Sequence, residues 1–160
     1  MSTTKQRSMV HRSERGQSIV EVAISLPIII LLLVGTLDFG MAVFSFIILR
    51  DAAQEGALYA SFDPNGEVEI ENRARSINPQ AAGSANYSPI NLADTNQVRV
   101  DIQIIGDDCQ GITDEGSNSI EVSVSYDYPL FMPFAEQVLG SNTIPLTASA
   151  TNVILQPPCP

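Results

Sequence analysis

The chain has 160 residues, a formal net charge of −10 at pH 7 and an uneven distribution of apolar and charged residues. Its length suits one domain with an anchor. Its acidic balance argues against direct binding to nucleic acid, because phosphates would repel it. From Val22 to Leu49 the only ionisable residue is Asp38, and this run exceeds the roughly 20 apolar residues that cross a bilayer.

A basic leader precedes the apolar run and carries half of the basic residues of the chain, namely Lys5, Arg7, Arg12 and Arg15. Since positively charged flanks stay cytoplasmic, we expect a cytoplasmic amino terminus and an exported remainder. An ordinary secretory signal has a shorter apolar core, of about 7–15 residues, and then a small-residue cleavage site. No clean Ala-x-Ala site follows this run, so we expect the helix to be retained.

A proline and two glycines interrupt the apolar run. Pro27 removes one helical donor and predicts a local kink or a melted turn. Gly35 and Gly40 loosen the helix further. Such residues are tolerated in membranes where neighbouring helices pack closely, but they are also simply frequent in membrane helices, and both interpretations stay open.

After Glu21, which lies at the start of the apolar run, Asp38 is the second carboxylate that could be buried in the membrane. An aspartate in mid-bilayer costs about 2.5–3.5 kcal/mol on insertion scales, so it would have to face a partner, water or another subunit. Alternatively, about 20 residues from Ser18 already cross the hydrocarbon, and Asp38 lies at the exported interface. Residues 39–49 would then stand above the membrane and need burial against partner helices.

Small residues recur at every fourth position after Arg50. One row is Ala52, Gly56 and Ala60, and its neighbour is Ala53, Ala57 and Ser61. Such rows let a helix or a sheet approach closely, either within the globular part of this chain or from another chain. The turn at 63–66 ends the helix, which is therefore expected to run from Gln17 to Phe62, roughly 70 Å at 1.5 Å per residue.

One short helix and three strands are predicted beyond this turn. The helix covers Glu67 to Ile77, and residues 80–96 form a loop. Each strand alternates apolar with polar residues and is expected to lay its apolar face on the long helix. The three apolar sets are Val98, Val100, Ile102 and Ile104; Ile120, Val122, Val124 and Tyr126; and Ile144, Leu146, Ala148 and Ala150. The apolar connection from Tyr128 has room for a short helix up to Leu139. The predicted fold class is α+β, a long amino-terminal helix packed on a small antiparallel sheet.

Two cysteines, Cys109 and Cys159, lie beyond the apolar run. In an exported domain they are expected to form one disulfide. The alternative is two independent thiols, since the sequence does not show that their Cβ atoms meet. The nearby acidic loop contains Asp107, Asp108, Asp114 and Glu115, but its spacing does not fit the EF-hand pattern. We expect a solvated loop and no metal.

No catalytic motif is visible in the sequence. The single histidine, His11, lies in the leader. A Gly-x-Ser-x-Gly elbow, a P-loop and paired histidines are missing. We therefore expect no enzymatic activity and no cofactor.

The amino-terminal part carries a specific resemblance. Arg-Ser-Glu-Arg-Gly-Gln-Ser-Ile-Val-Glu-Val (12–22) resembles the type IV prepilin processing signal, which a membrane peptidase cuts after the glycine. Ser-Leu-Pro (25–27), Gly-Thr-Leu-Asp-Phe-Gly (35–40) and Asp-Ala-Ala-Gln-Glu-Gly-Ala-Leu-Tyr-Ala (51–60) resemble the TadE-like family, minor pilins or pseudopilins of the tight-adherence pilus system. Beyond residue 60 the resemblance is only general.

This resemblance implies a cleaved leader, 1–16, a long helix, 17–62, and an exported domain, 63–160, with a pilin-like fold. The cut would fall between Gly16 and Gln17. Glu21 would help to insert the subunit into a filament. There its carboxylate would pair with the new amino-terminal ammonium of Gln17 on a neighbouring subunit, and this pairing would offset part of the cost of desolvating the two charges. The alternative is that Glu21 only marks the cytoplasmic interface.

The function implied is structural, in the assembly or initiation of a tight-adherence type pilus for surface attachment. The implied partners are prepilin peptidase, the major pilin, other minor pilins, the inner-membrane assembly platform and membrane lipid, with no nucleic acid. The chain would be a single-pass protein of the cytoplasmic membrane. The alternative from another class is a plain signal-anchored binding domain, an adhesin or sensor, that never joins a filament.

Overall fold

A computed structural model of the chain describes residues 15–76, 88–106, 112–113 and 116–155. In chain order the elements are α1 (Arg15–Ala60), α2 (Glu67–Ser76), β1 (Val98–Ile105), β2 (Ile112–Thr113), β3 (Gly116–Ser117), β4 (Ser119–Pro129), α3 (Ala135–Leu139) and β5 (Thr143–Val153). The long helix packs on a three-stranded antiparallel sheet. The predicted α+β, pilin-like architecture is confirmed.

Helix α1 is 46 residues long and remains helical through Pro27. Helical backbone thus continues on both sides of Pro27, which excludes the melted turn, and the alternative of a local kink stays a prediction. The large apolar side chains from Ile19 to Leu33 are at least 41% exposed, so this half packs on nothing in the described part of the chain. By length and composition, α1 is apolar enough to cross a membrane.

The end of α1 follows from the turn that the sequence predicts. The N–H groups of Ser61 and Asp63 donate to the carbonyls of Ala57 and Tyr59, and Pro64 cannot continue the helix. Helix α2 then begins with acidic residues in its first turn and ends with basic ones in its last turn, which suits the helix dipole. It ends at Ser76, and Ile77, predicted on its apolar face, lies outside the described residues.

The sheet has the order β1-β4-β5, with both pairs antiparallel. In the central strand β4, alternate residues from Ile120 to Tyr128 are buried, as predicted. The edge strand β5 packs on α1 as predicted, whereas the other edge strand, β1, meets α2. Arg75 of α2 donates to the carbonyl of Val98 at the start of β1, whereas Ile104 near the end of β1 is exposed. Ile144, at the start of β5, is exposed as well.

The loop before β1 contributes to the core, which the sequence did not indicate. Ile90 and Leu92 are each only 1% exposed. Arg75 of α2 holds this loop in place, since its guanidinium donates to the main-chain carbonyls of Leu92 (2.7 Å) and Val98 (3.2 Å). It also pairs with Glu71 at 2.7 Å. One guanidinium thus joins α2, the loop and β1 through charge-assisted hydrogen bonds.

A short hairpin formed by β2 and β3 interrupts the predicted connection between β1 and β4. Gly106 precedes it with φ +120°, and a Cβ there would collide with the side-chain oxygen of Asn118. Only glycine adopts this conformation readily. The short helix predicted in the connection after β4 is present as α3.

Candidate functional site

Helix α1 has two unlike halves that meet at Asp38. From Ser18 onward, Asp38 is the first buried residue of the helix. Glu21 and Pro27 are exposed, and Gly35 is half-buried. Gly40 is exposed, with open space around the position of a Cβ. The change from a bare to a packed helix thus occurs at the one ionisable residue inside the apolar run.

The carboxylate of Asp38 is held by the chain that leaves β4. Asp38 is 6% exposed. Its oxygens accept hydrogen bonds from the backbone N–H of Phe131, at 3.1 and 3.2 Å, and from that of Met132, at 2.6 Å. Carboxylate bonds to backbone N–H groups are among the stronger hydrogen bonds of proteins. The partner that Asp38 requires is thus supplied within the same chain.

Two further contacts fix this junction. The hydroxyl of Tyr128 donates to the main-chain carbonyl of Asp38 at 3.4 Å. One turn earlier on α1, a Cβ at Gly35 would lie 3.6 Å from the sulfur of Met132. Because Phe131 and Met132 directly follow the sheet in sequence, these contacts favour Asp38 at an interface, outside the hydrocarbon, over Asp38 in mid-bilayer.

The tyrosines beside this junction stay protonated. Burial raises the pKa of the Tyr128 hydroxyl, and the Asp38 carboxylate and Tyr126 raise it further. Burial also raises the pKa of Tyr126. A raised pKa in the folded state stabilises the fold below the ordinary tyrosine value of about 10, and this contribution is lost only as pH rises through the raised value. Tyr128 therefore remains a hydrogen-bond donor at neutral pH.

Replacing Asp38 tests this junction. Asp38→Ala is expected to destabilise the folded chain by about 2–5 kcal/mol. Two N–H groups donate to the carboxylate, bonds to a charged acceptor contribute about 1.5–3 kcal/mol each, and the better helix propensity of alanine returns roughly 0.7 kcal/mol. Thermal unfolding of the full chain in detergent measures the effect. Asp38→Asn keeps one acceptor oxygen and should lose less stability than Asp38→Ala. Equal stability of the Asp38→Ala protein and the wild type would show that the junction contributes nothing.

Residues 39–49, predicted to need partner helices if they stand above the membrane, are divided between two faces. Ser45, Ile48 and Leu49 are buried in the core of the same chain. The opposite face stays exposed and includes Phe39, Phe44, Phe46 and Ile47. Intramolecular packing thus covers one face of this segment and leaves the rest exposed.

Both rows of small residues pack inside the domain. Ala52, Gly56 and Ala60 are buried, and so are Ala53, Ala57 and Ser61. A Cβ at Gly56 would lie 3.1 Å from the Ala74 side chain on α2 and 3.1 Å from Val122 on β4. Of the two alternatives, the structure therefore contains the intramolecular one. The small residues let α2 and the central strand approach α1 closely.

A comparison with protein families coincides with this helix. Residues 16–58 match the family of TadE-like proteins. The TadE-like resemblance of the sequence is confirmed over this segment, which begins at Gly16 and includes Glu21, Asp38 and Gly56. The match ends before α2 and the sheet. No curated protein and no solved structure matches the chain.

The TadE-like match suggests involvement in the tight-adherence pilus system. Proteins of this pilin family are structural. A helix able to cross a membrane accords with a membrane-anchored, pilin-like protein.

Several predicted residues have no described side chain. Gly16 and Gln17 lie in the first turn of α1, and only their backbone is described. Cys109, Cys159 and the acidic loop residues 107, 108, 114 and 115 lie outside the described residues, so the disulfide stays a prediction. Within the described ranges, no group of three or more histidine, cysteine or acidic side chains is placed to hold a metal ion.

Proposed function

We propose that this chain is a minor pilin or pseudopilin that takes part in the assembly or initiation of a tight-adherence type pilus for surface attachment. The observation that carries the proposal is the TadE-like match, which begins at the glycine of the expected processing site. It extends along the helix whose first half is bare and whose second half is packed in its own domain.

The two-part helix suits a subunit that moves from membrane to filament. Lipid chains are as apolar as leucine, so transfer of a bare helix from lipid to neighbouring helices involves no large hydrophobic term and depends on close packing. The packed half keeps the exported domain attached during that transfer. A plain anchored binding domain needs the span but has no use for a processing glycine with Glu21 at this spacing.

In this proposal the leader 1–16 is removed by prepilin peptidase while the chain is held in the cytoplasmic membrane. The major pilin, other minor pilins and the inner-membrane assembly platform then receive the processed subunit. The bond between Gly16 and Gln17 lies in the first turn of α1, where the helix leaves N–H groups without intrahelical partners. This turn can open to a peptidase without disturbing the rest of the helix.

Amino-terminal sequencing of the mature protein tests the proposal. The wild-type chain should begin at Gln17 in cells with an active prepilin peptidase and should keep its leader in cells without it. Gly16→Leu should remain unprocessed and heavier in both strains, because only a small residue is expected to fit beside the scissile bond. Mature wild-type protein that still begins with residues 1–15 in the peptidase-positive strain would contradict the proposal.

A further inference from the structure

The connection between β4 and β5 lies at the end of the domain nearest to the exposed half of α1. β4 passes Gly56 at Val122, and Phe131, just beyond its end, meets Asp38. The helix from Gly56 back to Asp38 measures roughly 27 Å at 1.5 Å per residue, and an extended chain from Val122 to Phe131 measures about 30 Å. β4 therefore runs down α1 towards the bare half, and β5 returns.

This connection is a closed unit with an apolar surface, and we call residues 130–142 the foot. The N–H of Leu130 donates to the carbonyl of Asn142 at 2.8 Å and closes it. Its inner side is fixed by Asp38 and by the buried Ala135. Three large apolar side chains of the foot are nevertheless turned outward, with exposures of 71% for Phe131, 65% for Phe134 and 56% for Leu139.

The position of the foot along α1 coincides with the expected edge of a bilayer. About 20 residues at 1.5 Å each span the hydrocarbon, so a span from Ser18 ends near Leu37. The foot is hydrogen-bonded to the next residue, Asp38. Leu37 and Phe39, on either side of Asp38, are exposed as well. An apolar surface at this height continues the lipid-facing surface of the helix.

We propose that the foot rests on the membrane, with Phe131, Phe134 and Leu139 inserted into the interfacial region of the exported leaflet. The proposal deepens the proposed function and rests on its membrane-spanning α1. The same contacts keep the Asp38 carboxylate out of the lipid, because the amides of the foot cover it. Lipid is favoured over a protein partner because the foot continues the surface that the span already presents to lipid.

The chemistry of the contact is apolar. No lysine or arginine follows Arg99 in the sequence, so the foot has no cation with which to attract anionic lipid. Interfacial binding of this kind depends on the apolar area that is buried. Adding phosphatidylglycerol to phosphatidylcholine vesicles should therefore not increase the insertion of the foot.

The chain has no tryptophan, so each substitution by tryptophan creates a single fluorescent reporter. Phe131→Trp places the reporter on the foot. Phe62→Trp places it on an exposed site beyond the far end of α1, and Leu31→Trp places it within the span. The full-length variants are reconstituted in phosphatidylcholine vesicles, with and without bromine on the acyl chains. We expect the foot reporter to emit at shorter wavelength than the far-end reporter and to be quenched several-fold more by brominated lipid. The span reporter should be quenched as well.

Each of the other outcomes would contradict either the membrane span or the contact between the foot and lipid. Quenching of the span reporter without quenching of the foot reporter would refute the contact between the foot and lipid but would still support the membrane span. If neither the span reporter nor the foot reporter is quenched, both the membrane span and the contact between the foot and lipid are refuted. A blue-shifted foot reporter that brominated lipid does not quench would show that protein, and not lipid, covers the foot, and would overturn the proposal. Quenching of the foot reporter only in the presence of phosphatidylglycerol would refute the apolar contact.

Discussion

Glu21→Ala is expected to leave the subunit processed and membrane-resident but to lower its amount in pili on the order of a hundredfold. Removal of one partner from a buried ion pair costs about 3–5 kcal/mol, and 1.4 kcal/mol corresponds to about a factor of ten. Among the described residues, Glu21 has no hydrogen-bond or ion-pair partner. In the proposed filament we therefore expect it to pair with the ammonium of Gln17 on a neighbouring subunit.

The measurement compares the subunit in sheared pili with the subunit left in membranes, by immunoblot. Two matched variants separate charge from size. Glu21→Asp keeps the charge on a shorter side chain and should retain part of the incorporation. Glu21→Gln keeps the size without the charge and should fail as the alanine variant does. Normal incorporation of Glu21→Ala would leave Glu21 as a marker of the cytoplasmic interface and nothing more.

The contrast between Glu21 and Asp38 gives this prediction its specificity. Both are carboxylates of one apolar helix, and a charge near hydrocarbon requires a partner. Asp38 has its partners in its own chain, at Phe131 and Met132. Loss of Asp38 should therefore lower the stability of the isolated protein, whereas loss of Glu21 should be visible only when subunits meet.

The elements that could be predicted from the sequence are those with a local, periodic signal. The apolar run and the small-residue rows predicted a single long helix from Gln17 to Phe62, and the helix observed runs from Arg15 to Ala60. The alternation of β4 was strong because its alternate residues all face the core. The turn at 63–66 and the short helix α3 also follow from local chemistry.

The contacts that could not be predicted join residues far apart in sequence. Asp38 and Phe131 are separated by 93 positions, and neither position carries a local sign of the other. Ile90 and Leu92 lie in a loop without periodicity, and their burial depends on Arg75 of another element. The apolar alternation of β1 did not indicate which of its apolar residues a helix covers. In each case tertiary packing decided what the local pattern left open.

Gly56→Leu is expected to destabilise the folded chain by about 2 kcal/mol net, from an overpacking cost of about 3 kcal/mol at the upper end of the typical range. A Cβ alone would already lie 3.1 Å from both Ala74 and Val122. The remaining leucine atoms have no room between α1, α2 and the central strand. The gain in helix propensity over glycine returns only about 1 kcal/mol, so overpacking dominates.

Thermal unfolding of the full-length protein in detergent, together with pull-down by other pilins, tests this prediction. A fragment starting at Arg50 is unsuitable, because it would lack the buried Ile48 and Leu49. Gly40→Leu is the matched control, since it makes the same exchange on the same helix with open space around the Cβ. It should unfold at or above the wild-type temperature, whereas Gly56→Leu should unfold several degrees lower. If Gly56→Leu kept its stability and lost only the pull-down, the row of small residues would belong to an interface between subunits. If both properties were unchanged, the row would have no packing role.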